Sequence, residues 1–91
     1  MLSVQGDLGE ELFKGWTEEQ RRDEIGRLVA GYRAGLPIGI VCNMAEKIAG
    51  GETPARRCLL SFMTLEERQG AVANESGGVK DLVSRFLGVS G

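Results

Sequence analysis

Lys80, Ser84 and Arg85 fall within the stretch VKDLVSRF at spacings i, i+4 and i+5. A helix there groups an ammonium, a hydroxyl and a guanidinium toward one side. Such groups hold phosphate oxygens, and an arginine also reads guanine in the major groove. Arg56 and Arg57 are a second pair of cations, adjacent in sequence. In the first turn of a helix they would oppose the helix dipole, so they suit a solvated surface or an acidic or phosphate partner. Lys80, Ser84, Arg85, Arg56 and Arg57 are thus the candidate nucleic-acid contacts.

Other chemistries lack their reagents. The chain has no histidine, which removes Ser-His and Cys-His nucleophiles, imidazole metal ligands and imidazole proton shuttling. Two cysteines, Cys42 and Cys58, do not fill a four-ligand zinc site; on apolar helix faces they read as small buried hydrophobes. Glu66 and Glu67 are adjacent and point to different sides of a helix, so they form no acid–base pair. Gly77-Gly78 has neither the spacing nor the preceding strand of a phosphate loop. The expectation is a non-enzyme without catalytic residues, cofactor or metal.

The elements that would position these residues are helices. Every apolar stripe has the 3.6-residue period, and no run alternates with period two. The expected fold is all-α, a compact single-domain bundle over residues 1–91 with about five short helices, near 7–14, 18–34, 38–49, 54–63, 65–76 and 79–87, the first being the weakest. Asp7 starts the first, which carries Leu8, Leu12 and Phe13. Thr17 begins a capping box with Gln20, followed by a stripe of Ile25, Leu28, Val29 and Tyr32, and Gly35 before Leu36-Pro37 ends it. Glu18 and Arg22 stand in the favourable i, i+4 order on its solvated side. Thr53-Pro54 reads as an N-cap and first helical position, leading into Ala55, Cys58, Leu59 and Phe62. Thr64 and Glu67 form a second capping box ahead of Leu65 and Val72. After Gly77-Gly78, the last stripe is Val79, Leu82, Val83 and Phe86, and Gly88 closes it.

The third segment, PIGIVCNMAEKIAGG, is unusual. Asn43, Glu46 and Lys47 cluster on one side, while its apolar residues spread over an arc of roughly 160°. An arc that wide suits a central helix touched on several sides, or one that keeps a face for a partner. Ile40, Val41, Met44 and Ile48 are the candidate partner-binding residues. Gly31, Gly35 and Gly39 recur every fourth residue; Gly35 is a cap, and Gly31 or Gly39 permits a close helix crossing.

Residues 69–88, QGAVANESGGVKDLVSRFLG, resemble the helix-turn-helix recognition unit of lactose-repressor-type regulators. Val72-Ala73 falls where a small alanine lets two helices cross, Gly77 at the turn, and VSRFL at the end of the second helix. The resemblance covers 20 of 91 residues and implies DNA contact through Lys80, Ser84 and Arg85. Two features depart from it. After the turn glycine stands Gly78, and the apolar residue arrives one position late, a rotation of about 100°. Asp81 would also face the phosphates.

Charge weighs on the same choice. The chain carries 11 Lys and Arg against 13 Asp and Glu, a net charge of −2. Residues 1–53 hold six cations against nine carboxylates, and residues 54–91 five against four. A nucleic-acid binder usually shows a basic surface, because phosphate neutralisation supplies much of its affinity. No signal peptide or membrane-length apolar run is legible, so a cytoplasmic protein, or one intracellular in a host, is expected. Two functional readings follow. The first is a helical interaction module (adaptor, inhibitor or regulatory subunit) that binds a protein partner or a second copy of itself through an apolar helix face. The second is a small DNA-binding regulator using residues 65–87.

Overall fold

The computed structural model describes residues 13–89. They form five α-helices: α1 Glu18–Ala34, α2 Ile38–Ala49, α3 Glu52–Phe62, α4 Leu65–Ala73 and α5 Gly77–Leu87. Helix accounts for 78% of the structure, and no strand occurs among the described residues, which makes it an all-α bundle. The helix expected at 7–14 lies outside the described residues, except that Phe13 and Lys14 sit in a turn.

Local signals explain the ends. Both capping boxes are formed: the Thr17 hydroxyl accepts from the Gln20 amide while the Gln20 side chain accepts from the Thr17 amide, and Thr64 and Glu67 do the same. Three helices end in a glycine with positive φ, Gly35, Gly50 and Gly88. In each case the following residue's amide bonds back to the last turn, Leu36 to Gly31 O, Gly51 to Glu46 O and Val89 to Ser84 O. This wraps the backbone so that otherwise orphaned carbonyls are satisfied.

Three expected boundaries move. α3 begins at Glu52, with Gly51 as its N-cap, rather than at Pro54 after a Thr53 cap. The first intrahelical bond is donated by the Ala55 amide to Gly51 O. Pro54 therefore occupies the last position at which a missing N–H leaves no bond unmade. The earlier start puts Glu52 in the first turn and carries Arg56 and Arg57 past it, so their conflict with the dipole largely disappears. α4 stops at Ala73, not residue 76, with Asn74 as its C-cap. α5 starts at Gly77 rather than residue 79, with Gly77 itself at φ +63°.

The core is one apolar cluster. α1 supplies Ile25 and Val29; α2 supplies Ile38, Val41, Cys42, Ala45 and Ile48; α3 supplies Ala55 and Leu59. Met63, then Ala71 and Val72 of α4 and Val83, Phe86 and Leu87 of α5, complete it. No polar or charged residue is buried among the described residues. α2 packs against α1, α3 and α5, which is why its apolar arc is so wide. Two stripes are corrected. Leu65, at the first position of α4, is exposed, and Val79 and Leu82 stay about half exposed (47% and 48%) while Val83 and Phe86 go inside.

Side chains tie the helices where apolar packing thins. Arg21 of α1 donates to Ile48 O at the end of α2 (2.5 Å) and to Phe13 O (2.6 Å). Phe13 in turn meets the Trp16 ring edge-on, with centroids 4.8 Å apart. Arg22 makes no ion pair with Glu18; its guanidinium lies 5.5 Å from the Phe62 ring centroid, as a cation over an aromatic face. With α3 alongside, that ring is a better-placed partner than a solvated carboxylate on the same helix.

Candidate interaction surface

The four residues singled out on α2 separate. Val41 (0% exposed) and Ile48 (1%) are in the chain's own core and face no partner. Met44 is half-buried, and only Ile40 stands out, at 50% exposure. The division follows the helical wheel: Val41, Ala45 and Ile48 share the side packed against the other helices, and Ile40 lies about 100° off Val41.

The exposed apolar residues that sequence reasoning placed inside are on α5. Val79 lies on the core-facing side by angle, yet remains half exposed, and the residue it meets on α2 is Gly39. Val79 Cγ1 is 3.9 Å from where a Gly39 side chain would begin, an ordinary contact distance, so Gly39 does not serve a tight helix crossing. Gly31 differs, since a side chain there would run into Leu36 at 2.6 Å. Ile40 follows Gly39, and Leu82 lies three residues after Val79. α2 and α5 together thus carry three large aliphatic side chains that stay about half exposed, with Val79 where the two helices meet.

On the other flank of α5, the cationic residues come together. Arg56 of α3 joins Lys80, Asp81, Ser84 and Arg85 of α5 and Val89 around an open concavity of about 730 Å³. Its guanidinium reaches Gly88, with Nη2 3.2 Å from where a side chain on that glycine would begin. The Ser84 hydroxyl donates to Val89 O. Arg85 lies 3.9 Å from Glu52 across the gap between α5 and α3. Arg57 is not part of this group. One residue further along α3, it faces a second groove, beside Arg22, Glu19 and Cys58. Four of the five residues suggested as nucleic-acid contacts thus share one surface, and the fifth lies elsewhere.

Residues 69–88 form parts of two consecutive helices. α4 and α5 are separated by residues 74–76, and Gly77 has the positive φ that the resemblance requires at the turn. Asp81, exposed on α5, stands among the basic residues.

Neither cysteine is in a disulfide. Burial pushes the Cys42 thiol up to about 12. Cys58 is raised by burial too, with the Arg22 charge acting in the opposite direction. Among the described residues no group of three or more His, Cys, Asp and Glu side chains is placed to hold a metal ion, and no helix is long and apolar enough to cross a membrane. In comparisons with known proteins, no family model, no curated protein and no solved structure matches the chain.

Proposed function

We propose that this chain is a non-catalytic helical protein-interaction module that docks onto another protein through the seam between α2 and α5. The observation that carries the reading is that Ile40 of α2 and Val79 and Leu82 of α5 stay about half exposed on two helices that meet at Gly39 and Val79. Gly39 stands in the first turn of α2, and no close contact within the chain requires a glycine there. A small residue flanked by aliphatic side chains receives an inserted side chain or helix from outside.

The partner is a different protein rather than a second copy. A two-fold interface presses the same patch against itself. Lys80 adjoins Val79 and Arg85 follows Leu82, so two copies paired on this patch would bring like charges to its borders, which opposes pairing. DNA binding is the second reading, supported by the meeting of Arg56, Lys80, Ser84 and Arg85 in one concavity. Asp81 in the same surface and the acidic balance of the chain weigh against it.

Site-specific photo-crosslinking in the cells of origin tests the proposal. A photoreactive residue at position 82 should give one discrete heterologous adduct, lost when Ile40→Glu is added, while the same probe at position 19 on α1 gives none. No adduct at 82, equal adducts from both positions, or an adduct only with a second copy of this chain would overturn it.

A further inference from the structure

Arg56 and Lys80 make no ion pair and no side-chain hydrogen bond among the described residues. Arg85 pairs with Glu52 at 3.9 Å, both side chains being largely solvated, at 70% and 45% exposure, and Asp81 lines the same concavity one turn earlier on α5. Two other arginines are held by the chain itself: Arg21 bonds three carbonyl oxygens, and Arg33 bonds a carboxylate and a carbonyl. The Arg56 guanidinium approaches Gly88, and the carbonyls around that residue already take hydrogen bonds. Ser84 O and Arg85 O accept from the Val89 and Gly88 amides, and Val89 O accepts from Ser84. Two helices therefore hold three cations around one concavity of about 730 Å³, an excess over the two carboxylates near them, Asp81 in the same lining and Glu52 beside Arg85.

We infer that this concavity is a carboxylate-recognition subsite, in which Arg56, Lys80 and Arg85 receive an acidic segment of the protein partner. The inference rests on the reading of the chain as a protein-interaction module and specifies the chemistry of its partner. Guanidinium groups bind carboxylates through two parallel N–H···O bonds, which adds direction to the charge attraction. Lys80 adjoins Val79 and Arg85 lies three residues beyond Leu82, so the basic and apolar flanks belong to one helix about 10 Å across. A partner seated on α5 meets both, an apolar anchor on one side and its carboxylates on the other. A duplex is the poorer occupant. Three cations beside Asp81 and Glu52 neutralise few phosphates, and the neighbouring aliphatic residues would stay uncovered.

The test uses the full chain and a short polyglutamate peptide as probe, followed by nuclear magnetic resonance titration of backbone amides and arginine Nε–H groups. Saturable shifts are expected at Arg56, Lys80, Arg85 and Gly88, weakening as salt rises. The double variant Arg56→Gln, Lys80→Gln should bind on the order of tenfold more weakly with its helical circular dichroism unchanged. Leu82→Ser, which tests the apolar flank, should leave peptide binding as it was. Loss of crosslinked partner with intact peptide binding would thus fault the apolar reading alone. Absence of saturable shifts, shifts spread over unrelated surfaces, or a random duplex that binds the same residues more tightly than the peptide would overturn the subsite.

Discussion

Arg33, in the last turn of α1, grips Glu67, in the first turn of α4, through Nε–Oε2 at 2.7 Å and a second bond to Oε1 at 3.0 Å. The same guanidinium donates to Phe62 O at the end of α3. Glu67 also accepts from the Thr64 amide, so one carboxylate caps α4 and fastens it to α1 and α3. This pair is the ionic tie that fixes α4 where direct packing of α4 on α1 is sparse.

The tie makes stability depend on pH. The Arg33 hydrogen bonds, with the Thr64 amide second, hold the Glu67 carboxyl at about 2, below its ordinary 4.5. A depressed folded value stabilises the fold above the unfolded value and is lost as pH falls toward the folded one. Thermal midpoints should therefore fall between pH 4.5 and 2, and the fall should be shallower in Glu67→Gln, which keeps the capping bond without the charge. Parallel curves for the two proteins would show that Glu67 carries none of the acid sensitivity.

Two isoleucines of α2, eight residues apart, should respond very differently. Ile48→Ala removes a fully enclosed side chain and should lower stability by about 2–5 kcal/mol in denaturant unfolding. Ile40→Ala, half exposed, should change it by no more than about 0.5 kcal/mol. A large loss from Ile40→Ala would mean that it belongs to the core and not to a free face.

Glycines at different φ should respond with different signs. Gly70 sits inside α4 with nothing within 4 Å of a new side chain, so Gly70→Ala should raise stability by about 1 kcal/mol. Gly88 has φ +70° and Arg56 close by, so Gly88→Ala should lower it by roughly 1–2 kcal/mol. Calorimetry of the two variants measures both.

Arg21 holds the end of α2 to the turn at Phe13. Lysine has no planar fork to span two carbonyls, so Arg21→Lys should lose stability, by about 1.5–3 kcal/mol if the bonds to Ile48 O and Phe13 O are both broken. Hydrogen exchange should quicken in the last turn of α2 first. Uniform quickening would contradict a local tether.

Thiol labelling should separate the cysteines. Cys58, half-buried beside Arg22, should react slowly in the folded protein, and Cys42, buried and with its thiol pushed up to about 12, only on unfolding. Equal rates would place both in one environment.

Much of the fold is legible in order along the chain, because its signals act over one helical turn. Thr17 with Gln20 and Thr64 with Glu67 set two helix starts through local hydrogen bonds, Gly35 and Gly88 set two ends through φ, and the 3.6-residue stripes identify the buried sides of Ile25, Val29, Leu59, Val83 and Phe86. Only the tertiary structure decides what depends on neighbours distant in sequence. The wide apolar arc of α2 does not say whether it meets other helices or a partner; α1, α3 and α5 bury Val41 and Ile48 and leave Ile40. The stripe of α5 reads as continuous, yet Val79, which meets α2 at Gly39, stays about half exposed while Val83 is enclosed. Arg56 and Lys80 lie 24 residues apart in the chain and meet at one concavity only because α3 packs beside α5. Periodicity fixes which way a side chain leaves its own helix, and the packing of other helices determines what it finds there.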